Sequence, residues 1–196
     1  MKKILLFPGA FNPPHNGHIE AVEIVLKKVS FDELWIVPSG KRDDKNITTN
    51  YEDRRNLGNL FVEYLQSKIN IPVKLITAEL DNLDGRFTYE ILKEIKSKSN
   101  IEITQLIGLD GFLGLQKSKL IDSQEKFIVI SRNGYELPQN FSHNENTIIF
   151  EEITQSISRS ISSTQIRNMI KNNDVGYKKF VPDKIATYIE NHNLYF

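Results

Sequence analysis

The apolar positions of this chain fall in short runs separated by stretches of helical periodicity. Ile4-Leu5-Leu6-Phe7 and Leu34-Trp35-Ile36-Val37 are uninterrupted apolar runs, the pattern of strands buried on both faces of a parallel sheet. Val73 to Thr77, Ile103 to Ile107, Phe127 to Ile130 and Thr147 to Phe150 are further short strand-like segments. Between them lie Ile19 to Val29, Tyr51 to Lys68 and Thr88 to Lys98, where apolar residues recur three and four apart. Leu57, Leu60, Phe61 and Leu65 form one such stripe; Ile91, Leu92 and Ile95 form another. Strands alternating with helices predict an α/β fold built on a doubly wound parallel sheet. Two further helices, Ser163 to Asn172 and Pro182 to His192, make a small helical carboxyl-terminal part over about 160–196 of a single domain spanning 1–196.

Ligands of doubly wound, Rossmann-like sheets bind outside the carboxyl ends of the strands, where the strand order reverses. The turns at 8–18, 38–45 and 108–114 all follow strands and are expected to meet at that edge. The first of them is Gly9-Ala10-Phe11-Asn12-Pro13-Pro14-His15-Asn16-Gly17-His18. It is a strand–turn–helix in which the helix start contributes unpaired N–H groups and the positive end of its dipole, a ready anion site. His15 and His18 add side-chain donors there, and no carboxylate interrupts the segment.

Composition narrows the field without choosing a function. The chain has 196 residues, enough for one well-buried α/β core and too few for two large domains. Acidic and basic residues balance at 25 each, so no global field favours nucleic acid or a membrane surface. Cysteine is absent, which excludes disulfides, thiolate metal sites and a cysteine nucleophile and fits a cytoplasmic protein. Met1-Lys2-Lys3 before an apolar run imitates a signal peptide, but that run stops at Pro8, short of the roughly 7–15 residues of a secretory core. No stretch approaches the ~20 apolar residues of a membrane span.

Each candidate residue has a plain structural alternative. A zinc pair at His15 and His18 would need one or two more ligands, and the other histidines, His143 and His192, stand in unrelated contexts. Phosphate contact is the preferred reading, a helix cap the alternative. Ser162, Ser163 and Thr164 open a helix and would cap it well; Arg167 lies one turn on, within reach of the same anion. Lys41 and Arg42 follow the second strand, where solvated loop charges are ordinary. Asp110, in Gly108-Leu109-Asp110-Gly111, is either a turn former or a site carboxylate. The G-x-G-x-x-G dinucleotide fingerprint and the P-loop are both absent.

The segment from Gly9 to His18 resembles the G-x-F-x-P-x-H-x-G-H signature of the nucleotidylyltransferase superfamily. Ile161-Ser162-Ser163-Thr164-Gln165-Ile166-Arg167 resembles its I-S-S-T-x-I-R. Within the superfamily the chain is similar over nearly its whole length to the nicotinate-nucleotide adenylyltransferase family. Glu79 with Arg86-Phe87-Thr88-Tyr89, Ser131-Arg132-Asn133-Gly134-Tyr135, and the ending His192-Asn193-Leu194-Tyr195 carry that likeness. One difference touches the acceptor: the family's ring-stacking aromatic is missing from Leu115-Gln116-Lys117-Ser118-Lys119, which leaves Phe87, Phe112 or Tyr89 for that contact.

The resemblance implies transfer of AMP from ATP to nicotinate mononucleotide, with nicotinamide mononucleotide or another phosphate acceptor as the alternative. A nucleotide-binding protein without turnover is the alternative outside the enzymes. It assigns His15 and His18 to catalysis. Gly9, Ala10, Phe11, Gly108, Asp110, Ser163, Thr164 and Arg167 join them in holding ATP. Lys41, Phe87, Thr88 and Arg132 go to the acceptor. Arg54 resembles a recurring family arginine, against the plainer reading of a helix-surface ion pair with Asp53. Mg²⁺ is implied as cofactor, with Asp110 through water as its one protein candidate. A homo-oligomer is compatible with the sequence.

Overall fold

The computed structural model describes residues 1–40, 49–81, 100–119, 121, 124–131, 145–150 and 161–196. Six parallel strands form one sheet: β1 (Lys2–Gly9), β2 (Glu33–Pro38), β3 (Val73–Leu75), β4 (Ile101–Gly108), β5 (Lys126–Ile130) and β6 (Thr147–Phe150). Their order is β3-β2-β1-β4-β5-β6. The order reverses beside β1, which pairs with β2 on one side and β4 on the other. The crevice for a ligand therefore opens above the carboxyl ends of β1 and β4.

The helices are α1 (Asn16–Lys28), α2 (Tyr51–Gln66), α3 (Ala78–Asp81), α4 (Leu109–Lys117), α5 (Ser163–Lys171) and α6 (Asp183–Asn191), with a 3-10 helix at Val175–Phe180. Period-2 alternation sorts β1 between two cores. Leu5 and Phe7 join Val22 and Val25 of α1 and Leu57, Phe61 and Leu65 of α2. Ile4 and Leu6 face the other way, with Val37 and Ile103. Burial on both faces explains why β1 reads as a continuous apolar run rather than an alternating one. Ile166 and Ile170 of α5 and Ile185 and Ile189 of α6 belong to the same buried cluster as Leu5 and Phe7, so these helices brace the β1 face of the sheet.

Two expectations change. The segment after β4, read as a turn over 108–114, is the start of α4, which packs Leu109 and Phe112 against Phe127 and Val129 of β5. Gly111 and Gly114 weaken its helical signal, and burial of its apolar face outweighs them. The stretch expected as a strand to Thr77 ends at Leu75 and turns into α3. The expected helix Thr88 to Lys98 lies outside the described residues. Among the described residues no helix is long and apolar enough to cross a membrane.

Candidate active site

The β1–α1 connection is shaped by aromatic packing. Phe11 sits at φ 45°, in the left-handed region, and its ring folds back over Gly9, where a Cβ would lie 2.9–3.2 Å from three ring carbons. Only glycine leaves that room. The Phe11 ring meets Phe7 edge-on at 5.3 Å and the His18 ring at 5.0 Å, and Phe61 closes the same wall 6.2 Å from His18. His18 is thereby oriented by three aromatic neighbours rather than by solvent.

His15 is the N-cap of α1, with extended backbone at φ −150° and ψ 170°. Its Nδ1 accepts from the Gly17 N–H at 3.2 Å, and the His18 Nδ1 accepts from the His15 N–H at 3.1 Å. This is a capping box built from two imidazoles in place of a hydroxyl and a carboxamide. An Nδ1 that accepts carries no proton, so each neutral ring has its N–H on Nε2. The two rings lie 3.8 Å apart, tilted by 35°. Capping and donation are thus compatible: one ring nitrogen holds the helix start, the other is a donor. The first turn of α1 holds no acidic residue.

The second motif is brought onto the first. Ser162 caps α5, accepting from the Gln165 N–H, while the Gln165 side chain accepts from the Ser162 N–H at 2.7 Å. Ser163 Oγ donates to the Pro13 carbonyl at 2.9 Å. Arg167 Nη1 donates to the Asn12 carbonyl at 2.7 Å, and Nη2 to Thr164 Oγ1 at 3.1 Å. The α5 start, also without an acidic residue in its first turn, therefore flanks the histidine loop. Two helix starts next to each other, with imidazole, hydroxyl and guanidinium donors around them, suit a polyanion. Asn12, buried in that loop, accepts at Oδ1 from Thr49 Oγ1 at 2.9 Å and from Tyr195 Oη at 2.7 Å.

Gly108 is the N-cap of α4 and Asp110 lies exposed in its first turn, at the carboxyl end of the strand beside β1. Glu79 is buried and accepts at Oε2 from the Gly40 N–H at 3.0 Å, fastening the start of the loop after β2. Arg54 is not on the helix surface: it is buried and donates to the carbonyls of Ala10, Ser39 and Gly40. Arg54 stands three residues before Leu57, on the apolar stripe of α2, and that spacing is the sequence signal that it rather than Arg55 turns inward. Phe112 is also corrected, since its ring is 1% exposed and packs edge-on against Phe127 at 5.2 Å. It is a core residue and unavailable for stacking on a ligand. Lys41, Arg42, Phe87, Thr88, Tyr89 and Arg132 lie outside the described residues.

A sheet of this order with paired donor-rich helix starts over its central strand is the arrangement of a nucleotide-binding protein. The model of the cytidylyltransferase-like family matches residues 6–169. A probable nicotinate-nucleotide adenylyltransferase of Clostridium acetobutylicum is 32% identical, with all of both chains covered. The nicotinate-nucleotide adenylyltransferase of Bacillus subtilis is 27% identical over 100% of this chain and 99% of its own. The nicotinic acid mononucleotide adenylyltransferase of Plasmodium falciparum, solved as its complex with NaAD, superposes with a TM-score of 0.82 at 22% identity, covering 100% of this chain and 98% of that one; this likeness speaks for the fold. The chain belongs to the cytidylyltransferase-like family and, within it, to the nicotinate-nucleotide adenylyltransferases.

Proposed function

We propose that the protein transfers AMP from ATP to nicotinate mononucleotide, forming nicotinate adenine dinucleotide and releasing pyrophosphate. The observation that carries this reading is the junction of the two motifs, in which Ser163 and Arg167 of α5 bond to the Pro13 and Asn12 carbonyls beside the His15–His18 pair. The names of the full-length relatives support the choice of substrates.

The acceptor's phosphate is already an anionic nucleophile, so no general base and no covalent enzyme intermediate are required. One of its oxygens attacks the α-phosphorus of ATP in line, and the bond to the β-phosphate's bridging oxygen breaks. Catalysis then rests on alignment and on offsetting negative charge. In this reading His15 and His18 donate through Nε2 to the phosphates, with Gly9, Ala10 and Phe11 forming the loop beneath. Ser163, Thr164 and Arg167 hold the triphosphate, and Gly108 and Asp110 border the nucleotide at the next strand. Lys41, Phe87, Thr88 and Arg132 are assigned to the acceptor.

Among the described residues no group of three or more His, Asp or Glu side chains could hold a metal ion. Magnesium keeps most of its waters and binds through phosphate oxygens, so the phosphate-facing helix starts and the exposed carboxylate of Asp110 suit it. Asp110 would hold it through water. When bound, the ion supplies charge to offset the triphosphate oxygens. Bacterial relatives of the same family and a sequence without cysteine support the cytoplasm as the working compartment.

The test is pyrophosphate release from ATP and magnesium with nicotinate mononucleotide. No release with it or with nicotinamide mononucleotide overturns the reading. The amide acceptor is the alternative that the same assay tests; burial of Phe112 removes one of the three aromatic candidates for the ring and bears on both acceptors alike. A clear preference in kcat/KM for the nicotinate form rejects the amide. Tight ATP binding without turnover on either acceptor would mark a binding protein instead.

A further inference from the structure

Arg54 belongs to neither motif, yet it joins the two loops on which the proposed chemistry depends. It lies in the first turn of α2 and is 2% exposed. Nη2 donates to the Ala10 carbonyl at 3.1 Å, in the loop that carries the histidines, and to the Ser39 carbonyl, in the loop that follows β2. Nη1 reaches the Gly40 carbonyl at 3.4 Å. The Gly40 N–H is held in turn by Glu79, and a Cβ on Gly40 would stand 2.6 Å from the Glu79 carbonyl oxygen. The backbone at this junction is closely determined from both sides.

Two features separate this arrangement from ordinary core packing. A buried guanidinium normally pairs with a carboxylate, whereas every hydrogen bond Arg54 makes among the described residues is to a backbone carbonyl. Burial works against its charge, and Glu79, the carboxylate that holds Gly40, favours that charge without a hydrogen bond to Arg54 among the described residues. And α2 has an anchor of its own in Leu57, Phe61 and Leu65, all fully buried, so the helix does not depend on Arg54 to stay docked. The planar fork of a guanidinium can serve carbonyls of two loops at once, which the point charge of a lysine cannot reproduce.

We propose that Arg54 is a positioning residue for adenylyl transfer, setting the separation of the ATP loop at Ala10 from the acceptor loop at Ser39 and Gly40. The inference rests on the reading that these loops hold the two substrates. Each loop keeps its own ligand contacts without Arg54; what is lost is the alignment of one phosphate on the other. A misplacement of about 1 Å is enough to cost roughly 10² in rate.

Arg54→Met and Arg54→Lys are compared with the parent in steady-state kinetics, in binding of a non-hydrolysable ATP analogue and in thermal unfolding. Both variants are expected to bind the analogue within about threefold of the parent and to keep KM for each substrate within about threefold, while kcat falls by roughly 10². The lysine variant, which retains the charge, decides the matter should the methionine variant fail to fold. Parental kcat in Arg54→Lys, or a loss confined to KM or to melting temperature, overturns the proposal. The parent's turnover reports on the acceptor reading, and the ratio of variant to parent reports on Arg54. Should the parent turn over neither pyridine nucleotide, the effect of the ATP analogue on nicotinate mononucleotide binding replaces kcat. Coupling lost in the variants supports the positioning role, and unchanged coupling overturns it.

Discussion

Arg167 Nη1 bonds to the carbonyl of Asn12 at 2.7 Å across 155 positions of sequence. The contact makes one site of two motifs, because the loop that sets His15 and His18 is held by the same side chain that is assigned to the triphosphate. Ligand binding and loop geometry are therefore coupled at this residue.

Arg167→Ala is expected to raise KM for ATP by roughly ten- to hundredfold, the equivalent of one lost charge-assisted hydrogen bond. Because the Asn12 carbonyl also loses its donor, kcat should fall too, by a smaller factor. Arg167→Lys should recover only part of either, since Nη1 and Nη2 serve Asn12 and Thr164 separately. Initial rates over a range of ATP concentrations check this.

His18→Ala should lower kcat by roughly 10²–10³, the usual loss for one donor to a transition-state charge. It should also lower stability by about 1 kcal/mol, because the ring nitrogen that caps the His15 N–H is removed along with the packing on Phe11. For a chain of this length that is a fall of about 2–4 °C in melting temperature. A variant that melts lower yet turns over normally would make His18 a structural residue only.

Tyr195→Phe removes the hydrogen bond to Asn12 Oδ1 and should cost about 1 kcal/mol at neutral pH. Burial pushes the Tyr195 hydroxyl up to about 12 from an ordinary 10.0, against the downward pull of the Thr49 hydrogen bond and of Arg167 and Arg54. A raised acid pKa stabilises the folded state below the unfolded value, so this contribution is complete under pH 10 and disappears between pH 10 and 12. Tyr177 and Tyr188 are raised as well. The difference between parent and variant in urea unfolding across that range isolates Tyr195, and it should narrow as pH rises.

At the other end of the sheet Glu33 is buried between Lys2 at 2.6 Å and Lys74 at 2.9 Å, with the Trp35 Nε1–H donating at 2.8 Å. Burial alone would raise its pKa; the bonds from Lys2, Lys74 and Trp35 outweigh it and hold the carboxyl at about 2. A depressed pKa stabilises the folded state above the unfolded value of 4.5, and the benefit fades as pH falls from there toward 2. Both lysines are about half exposed, so solvent screening limits the effect. Glu33→Gln is expected to cost about 1 kcal/mol at pH 7 and nothing near pH 2. Trp35 is the one tryptophan of the chain, and its fluorescence during acid titration follows the loss directly.

Local pattern carried much of this protein on its own. Strands β1, β2 and β5 are legible because burial on both faces demands nearly continuous apolar runs, β4 and β6 as short segments rich in β-branched residues, and α1, α2, α5 and α6 because each shows a helical apolar stripe or a cap. His15, His18, Ser163, Thr164 and Arg167 stand out for the same reason: a helix start that binds an anion needs particular residue types at particular spacings. Tertiary structure decided the rest. Which groups Arg54 meets, once its spacing turns it inward, depends on where the Ala10, Ser39 and Gly40 carbonyls lie, and those come from strands distant in sequence. Whether Phe112 stacks on a ligand or fills a core depends on a helix whose glycines conceal it and on Phe127 of a later strand. Tyr195 reaching Asn12 is a contact of the same kind, made across 183 positions. Periodicity records what a residue does for its own element; only the folded chain determines which distant groups its polar atoms meet.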